Sequence, residues 1–232
     1  MITLYDLEFA NGARPSPFCW RAKFALKHKG LEWKEVPIGF TEKDKIAFSG
    51  QGLVPVIVDN ANGDKTIHDS WEIALYLDKA YPDRPLLLKS AHAQAFARFM
   101  HYWTGLVVHA GMFPLIVGDM YAAVRPQDRD YFRESRGKRL GTEDFAKLQT
   151  EARAGRLAAF RQSLEPLRLQ LKVGAFLAGD RPAYPDYIVA SAFLWAGSVT
   201  SFKLLDGDDP ILPWYARMRD LYDFGSRLKP AA

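Results

Sequence analysis

The residues best suited to chemistry come early in the chain, at Ser16-Pro17-Phe18-Cys19. Ser before Pro is a strong helix start: the hydroxyl caps free main-chain N–H groups, and Pro takes the first helical position, where it has no N–H to lose. A plain cap accounts for these residues taken alone. Their spacing, however, is that of a Cys-x-x-Cys redox motif with oxygen in place of the first sulfur, set between a strand and a helix where such motifs occur. Two further segments line up with it. In Gly52-Leu53-Val54-Pro55, a Pro opens a central strand, which suggests a turn with a cis peptide before Pro55. The Val54 N–H and C=O then face outward, where an extended peptide can pair with them as an added strand. In Asp69-Ser70-Trp71-Glu72, the Asp-x-x-Glu spacing fits a capping box. A helix N-terminus with a neighbouring hydroxyl also binds a carboxylate. A hydroxyl at a helix start, a pairing edge and an anion pocket together fit a short peptide that carries a carboxylate and a reactive group.

Other chemistries are excluded by what the sequence lacks. There is no Gly-x-Gly-x-x-Gly, no Gly-x-x-x-x-Gly-Lys-Ser/Thr and no Gly-x-Ser-x-Gly. His92, His101 and His109 share a helical stretch, but their spacings do not suit a two-His metal face, which requires i and i+4. No metal site is expected. Cys19 is the single cysteine, so it reads as a small buried apolar residue rather than a redox thiol. One thiol in the chain fits a reducing cytoplasm.

The elements that must position these residues follow from periodicity. Strands are expected over residues 2–7, 31–38, 54–58 and 65–68, with a hairpin turn at Asn62-Gly63. Helices are expected over 16–29, stopped by Gly30, and over 69–81. Tyr81-Pro-Asp-Arg-Pro then breaks both helix and sheet. Beyond residue 90 the pattern is helical: 90–124, bent by Gly111 and Pro114, then 143–172, an almost wholly apolar 187–199, and 212–227. The expected organisation is an α/β domain over residues 1–82, a linker over 83–89 and an all-α domain over 90–232.

Composition agrees with a globular chain. Of 232 residues 48% are hydrophobic and 25% charged, with a net charge of +4. No unbroken apolar run of about 18 residues occurs, so no membrane span is expected. The opening residues carry neither a basic region nor an apolar core, so no secretory signal is expected. Most of the excess charge lies between Arg125 and Arg139, with six basic and three acidic residues. Mixed signs read as a solvated, salt-bridged segment, too dilute for a nucleic-acid footprint.

Over essentially its whole length the chain resembles the cytosolic glutathione transferases, with an α/β thioredoxin-like domain followed by an all-α domain. Ser16-Pro-Phe-Cys-Trp-Arg resembles the omega-class Cys-Pro-Phe motif with Ser for Cys, and Gly52-Leu-Val-Pro and Asp69-Ser70 match the family's glutathione motifs. A closer likeness is to the bacterial β-aryl etherases and related fungal enzymes, carried by stretches such as Tyr81-Pro-Asp-Arg-Pro and Pro126-Gln-Asp-Arg-Asp-Tyr. The chain departs from the family where a Ser or Thr caps the central helix: Ala183 stands three residues before Asp186.

The resemblance implies a cytoplasmic homodimer that takes glutathione as co-substrate and no metal. It makes Ser16 the catalytic residue, stabilising the glutathione thiolate. Val54, followed by Pro55, would pair with the cysteinyl main chain, and Asp69 with Ser70 would hold the γ-glutamyl end. Lys43, Lys45 and Gln51 stay open as partners of the glycine carboxylate. The second substrate, a hydrophobic aromatic electrophile, is expected on the first long helix, at Trp103, Val107 and Phe113, with Tyr102 and Tyr121 nearby. Ether cleavage, conjugation, disulfide reduction and a non-catalytic binding role are the readings left open.

Overall fold

The computed structural model describes residues 1–228; residues 229–232, the end of the expected helical domain, lie outside the described residues. Strand β1 (Ile2–Leu7) leads into α1 (Pro17–His28), β2 (Trp33–Ile38), a short 3-10 turn (Lys43–Ser49), β3 (Val56–Asp59), β4 (Lys65–His68) and α2 (Ser70–Ala80). The sheet order is β2-β1-β3-β4. β1 pairs in parallel with β2, from Ile2 opposite Trp33 to Leu7 opposite Ile38. It pairs antiparallel with β3, which in turn pairs antiparallel with β4. β1 alternates because one face holds the core: Ile2 and Leu4 are sealed while Thr3 and Tyr5 are partly exposed.

The helical part holds α3 (Ala91–Trp103), a π-helical turn (Thr104–His109), α4 (Ala110–Ala123), α5 (Arg129–Leu140), α6 (Phe145–Gly155), α7 (Leu157–Ser163), α8 (Glu165–Val173), α9 (Tyr184–Gly197) and α10 (Ile211–Asp220). Two expectations need correction. The helix foreseen over 143–172 is three helices, broken at Arg156 and Leu164. The helix foreseen over 212–227 ends at Asp220, and a 3-10 turn follows at Phe224–Arg227. The charged stretch 125–139 carries the exposed ion pairs expected of a solvated, salt-bridged segment, Arg133 with Asp130 and Lys138 with Glu134, and it also contains α5, which buries Phe132 and Gly137. Residues 91–123 also form one helical run with a mean hydropathy of 1.5, long and apolar enough to cross a membrane. Half of its most apolar window is buried inside the protein, as a core helix is.

One hydrophobic core runs through both parts. Phe24 of α1 stacks on Tyr187 of α9, with ring centroids 4.8 Å apart and planes nearly parallel. α9 is buried along nearly its whole length, which its apolar sequence requires. Its missing hydroxyl cap is half replaced. The Asp186 carboxylate accepts from the Ala183 N–H at 3.1 Å and also from the Leu177 N–H and the Trp214 indole. Burial raises the Asp186 pKa, and those three donors oppose the shift.

Polar ties also join the two parts. The Asp128 carboxylate accepts from both the main chain and the hydroxyl of Thr41, at 2.8 and 2.6 Å, while Arg125 bridges Asp128 and Glu42. The guanidinium lies where a Gly39 side chain would stand: a Cβ there would come within 1.6 Å of Arg125 Nη2. Glycine at 39 is thus a condition of this contact.

Candidate active site

A cavity of about 430 Å³ lies between the sheet edge and the helical domain. Ser16 opens onto it from the N-terminus of α1. The backbone of Ser16 is extended, Pro17 takes the first helical position, and the Ser16 Oγ accepts the Cys19 N–H at 3.2 Å. Because the oxygen acts as acceptor toward the helix, the hydroxyl proton remains for a partner in the cavity. No acidic residue occupies the first turn of α1, so the helix end keeps its positive potential. Cys19 faces the core, and burial pushes its thiol well up, away from thiolate chemistry.

Val54 lines the same cavity, and the Val54–Pro55 peptide is cis. The Val54 N–H and C=O make no hydrogen bond among the described residues. Pro55 lies behind it, buried, and does not line the cavity. Of the three residues left open for a carboxylate, two are otherwise engaged. The Gln51 amide folds back on its own loop, bonding Ser49 and both main-chain groups of Leu53. Lys45 pairs with Glu42 at 2.7 Å. Lys43 lines the cavity, its ammonium 4.7 Å from the Tyr131 ring centroid.

Asp69 and Ser70 form a separate station at the start of α2 and do not line this cavity. Asp69 has a positive φ of 68°, an uncommon conformation for a residue with a side chain. Its carboxylate accepts the Trp71 and Glu72 N–H groups, one half of the expected capping box, and the Glu72 carboxylate makes no return bond among the described residues. Ser70 is 1% exposed, and its Oγ has no partner among the described residues. The buried Arg21 is oriented by Ser191 and His101, while its Nη2 is likewise enclosed without a partner. Burial brings Arg21 down to about 10, with Tyr184 and Asp69 acting in the opposite direction. Unpaired buried donors are costly, and functional sites are where proteins tolerate them.

The wall facing Ser16 comes from Gly105, His109 and Phe113, spaced four apart on one helical face, together with Trp195 of α9. Trp103 and Val107, expected at the second substrate, do not line this cavity. Each lies two positions from that stripe and so turns away from the cavity. Trp103 instead lines an apolar groove of about 240 Å³ with Phe96, Phe99 and Leu167. Phe113 lines the cavity. Tyr102 is exposed, and Tyr121 packs on Phe132 and Phe145.

His109 was not foreseen. It ends the π-helical turn, a distortion often found at functional sites. Its ring stands edge-on to Phe18 and Trp195, and its Nε2 has no partner among the described residues. Burial first, then Arg21, brings its pKa down to about 3, so the ring is neutral at physiological pH. Arg136 and Arg139 of α5 also line the cavity. No cluster of three or more His, Cys, Asp or Glu side chains able to hold a metal occurs among the described residues.

Comparison with known proteins agrees with this arrangement. The sequence profile of the glutathione S-transferase N-terminal domain matches residues 15–80, and that of the C-terminal domain matches residues 95–203. The chain belongs to the glutathione S-transferase superfamily. Among curated relatives, glutathione S-transferase Z1 of Arabidopsis thaliana is 33% identical over 40% of this chain and 42% of its own length. That alignment therefore spans less than half of the relative. A probable glutathione S-transferase of Nicotiana tabacum is 24% identical over 92% of this chain and 82% of its own. In three dimensions this transferase-family chain is similar to a glutathione S-transferase of Ceriporiopsis subvermispora solved in complex with glutathione. Its TM-score is 0.78 at 23% identity over 96% of both chains. The glutathione transferase GSTFuA3 of Phanerochaete chrysosporium gives 0.73 at 23% identity, over 93% of this chain and 95% of that one. At these identities the two likenesses establish the transferase fold.

Proposed function

We propose that the protein is a glutathione transferase in which Ser16 holds the sulfur of glutathione as its thiolate for attack on a hydrophobic aromatic electrophile. One observation carries this reading. The Ser16 hydroxyl sits at an uncompensated helix N-terminus in a cavity it shares with the unpaired main chain of Val54. Val54 pairs with the cysteinyl main chain of glutathione, Ser70 with Asp69 takes the γ-glutamyl end, and Lys43 takes the glycine carboxylate.

The energies suffice. A free thiol titrates near about 8.5, leaving a few per cent thiolate at neutral pH. A hydroxyl donated to a charged sulfur contributes about 1.5–3 kcal/mol, and the helix end about 0.3–1 kcal/mol. At about 1.4 kcal/mol per unit, these lower the thiol pKa by about 1.5–3. Thiolate then makes up about half or more of the bound glutathione at pH ~7, and Ser16 activates a nucleophile without being one. In the ether-cleaving reading the sulfur attacks the substrate carbon, a C–S bond forms, and the C–O bond breaks. Aryloxide leaves with the electron pair and takes a proton from solvent. The burial of Cys19 argues against disulfide chemistry by the protein's own thiol.

The same resemblance supports a cytoplasmic homodimer, built with α2 against the 91–123 helical run of a second copy. Exposed Phe99, Tyr102 and Leu106 on that run favour it. A dimer mass in sedimentation at micromolar concentration is expected, and a monomer mass would contradict it.

Turnover of a β-aryl ether, a halogenated arene and a mixed disulfide, each with glutathione, tests the function. Release of phenol or halide is expected. Turnover of the disulfide alone would overturn the carbon-transfer reading. Ser70→Ala should weaken glutathione binding by about 1–3 kcal/mol in calorimetry, and unchanged affinity would remove Ser70 from the site.

A further inference from the structure

α5 carries its basic residues on two different faces. On the outer face Arg133 pairs with Asp130 and Glu143, and Lys138 pairs with Glu134 at 2.8 Å. Arg136 and Arg139, three residues apart and therefore neighbours on the helix, turn into the cavity instead. Neither has an acidic partner among the described residues, and no Asp or Glu lines the cavity.

Aromatic rings hold both guanidinium groups. Arg136 lies 4.8 Å from the Phe40 ring centroid and donates to the Ser135 Oγ, while Arg139 lies 5.1 Å from the Phe113 centroid. Stacking of this kind fixes the plane of a guanidinium and leaves its N–H edge for an oxyanion. Burial, and secondarily Arg139, pushes Arg136 below the usual arginine range, against the pull of the Tyr131 phenol. A half-buried cation beside a second one, with no counter-charge, is a deficit that a bound anion relieves.

We propose that Arg136 and Arg139 form an anion site for the second substrate, which carries an acidic group, a carboxylate or sulfonate, on its aromatic ring. The inference rests on the transferase reading above. Within that reading Lys43 answers the glycine carboxylate and Ser16 the sulfur, so the two arginines remain for the electrophile. The arene lies along Phe113 and Trp195, and its acid group meets the guanidinium edges. The site thereby selects acidic aromatic electrophiles over neutral ones of the same shape.

The test compares chloronitrobenzoate with its neutral amide as glutathione acceptors. Each kcat/KM is divided by the uncatalysed rate, in the native protein, in Arg139→Gln and in Arg136→Gln/Arg139→Gln. Arg139 is exposed, so the single variant leaves the core untouched. The native protein should favour the acid by at least about tenfold, one step of about 1.4 kcal/mol. The preference should shrink in the single variant and disappear in the double, chiefly through KM, with the glutathione Kd moving less than about threefold. An equal preference in native and double variant overturns the proposal. So does a loss that falls on the glutathione Kd, because the arginines would then serve glutathione itself. Calorimetry with naphthalene sulfonate and naphthalene sulfonamide separates this claim from the transferase reading. If neither arene is turned over, sulfonate binding at least about tenfold tighter than sulfonamide, lost in the double variant, still supports the anion site. Equal binding of the two overturns it.

Discussion

The Tyr184 hydroxyl, at the first turn of α9, donates to the carbonyl of Ser70, at the first turn of α2, across 2.8 Å. Tyr184 is 1% exposed and Ser70 equally so, so the bond is made out of reach of water. It ties the central helix of one domain to the residue proposed to hold the γ-glutamyl group in the other. Tyr184→Phe should therefore do two things. Stability to denaturant should fall by about 0.5–1.5 kcal/mol, the net contribution of one buried hydrogen bond, because the Ser70 carbonyl keeps its helical partner within α2. Glutathione affinity should also fall, because the start of α2 loses its tie to α9. A stability loss with native glutathione affinity would show that the bond serves the fold alone.

Lys23 and Asp6 make a buried ion pair beneath the first strand, 2.7 Å apart, with side chains 1% and 0% exposed. The ammonium also lies over the Trp20 ring, and Glu35 and Arg14 complete the cluster. Lys23→Met should cost about 3–5 kcal/mol, since Asp6 loses its closest cation while remaining buried. Combining it with Asp6→Leu should recover most of that loss. Additive losses in the double variant, measured by urea unfolding, would contradict this account.

Acid stability should depend on Glu42. The Lys45 ammonium foremost, then the Gly39 N–H and the Arg125 guanidinium, hold its carboxyl down to about 2, from an ordinary 4.5. A depressed carboxylate stabilises fully above its unfolded value, and that contribution disappears as pH falls toward the folded one. Glu42→Gln should thus melt below the native protein at neutral pH. The gap should hold down to about pH 5 and close as the pH approaches 2. A gap independent of pH over that range would show that the charge of Glu42 contributes nothing.

The sheet, α1, α2 and the cis turn at Pro55 could be read from the sequence because local chemistry fixes each of them. Alternation marks β1, Ser16-Pro17 starts α1, and Asp69-x-x-Glu72 caps α2. The helical domain was less legible where its helices break. Gly155 precedes the first break and Pro166 follows the second, but an apolar repeat reads through both positions and masks them. The substrate wall was half legible. An aromatic stretch announces an apolar site, but the facing stripe of Gly105, His109 and Phe113 depends on packing against α9. Charge counting hid Arg136 and Arg139, because acids on the outer face of α5 balance a sum that the cavity does not feel.

Ser16→Cys should divert the chemistry. It restores the Cys-x-x-Cys spacing with Cys19 and puts a thiol at a helix start, where thiols ionise more easily. That sulfur would attack the disulfide of a glutathione mixed disulfide, where the native hydroxyl donates a hydrogen bond to the glutathione thiolate. Carbon transfer should fall and disulfide exchange should appear, both read by product analysis. A variant that keeps native carbon transfer and gains no exchange would contradict the role given to the Ser16 hydroxyl.

The most direct test is the ultraviolet thiolate absorbance of bound glutathione, titrated against pH in the native protein and in Ser16→Ala. Burial and the low pKa of His109 keep that ring neutral through the working range, so the titration reports the sulfur. The native complex should ionise well below free glutathione, and Ser16→Ala should raise that apparent pKa by about one to two, with transferase turnover falling in step. If both the titration and the turnover of Ser16→Ala match the native protein, Ser16 is only a helix cap and the thiolate is held by another group.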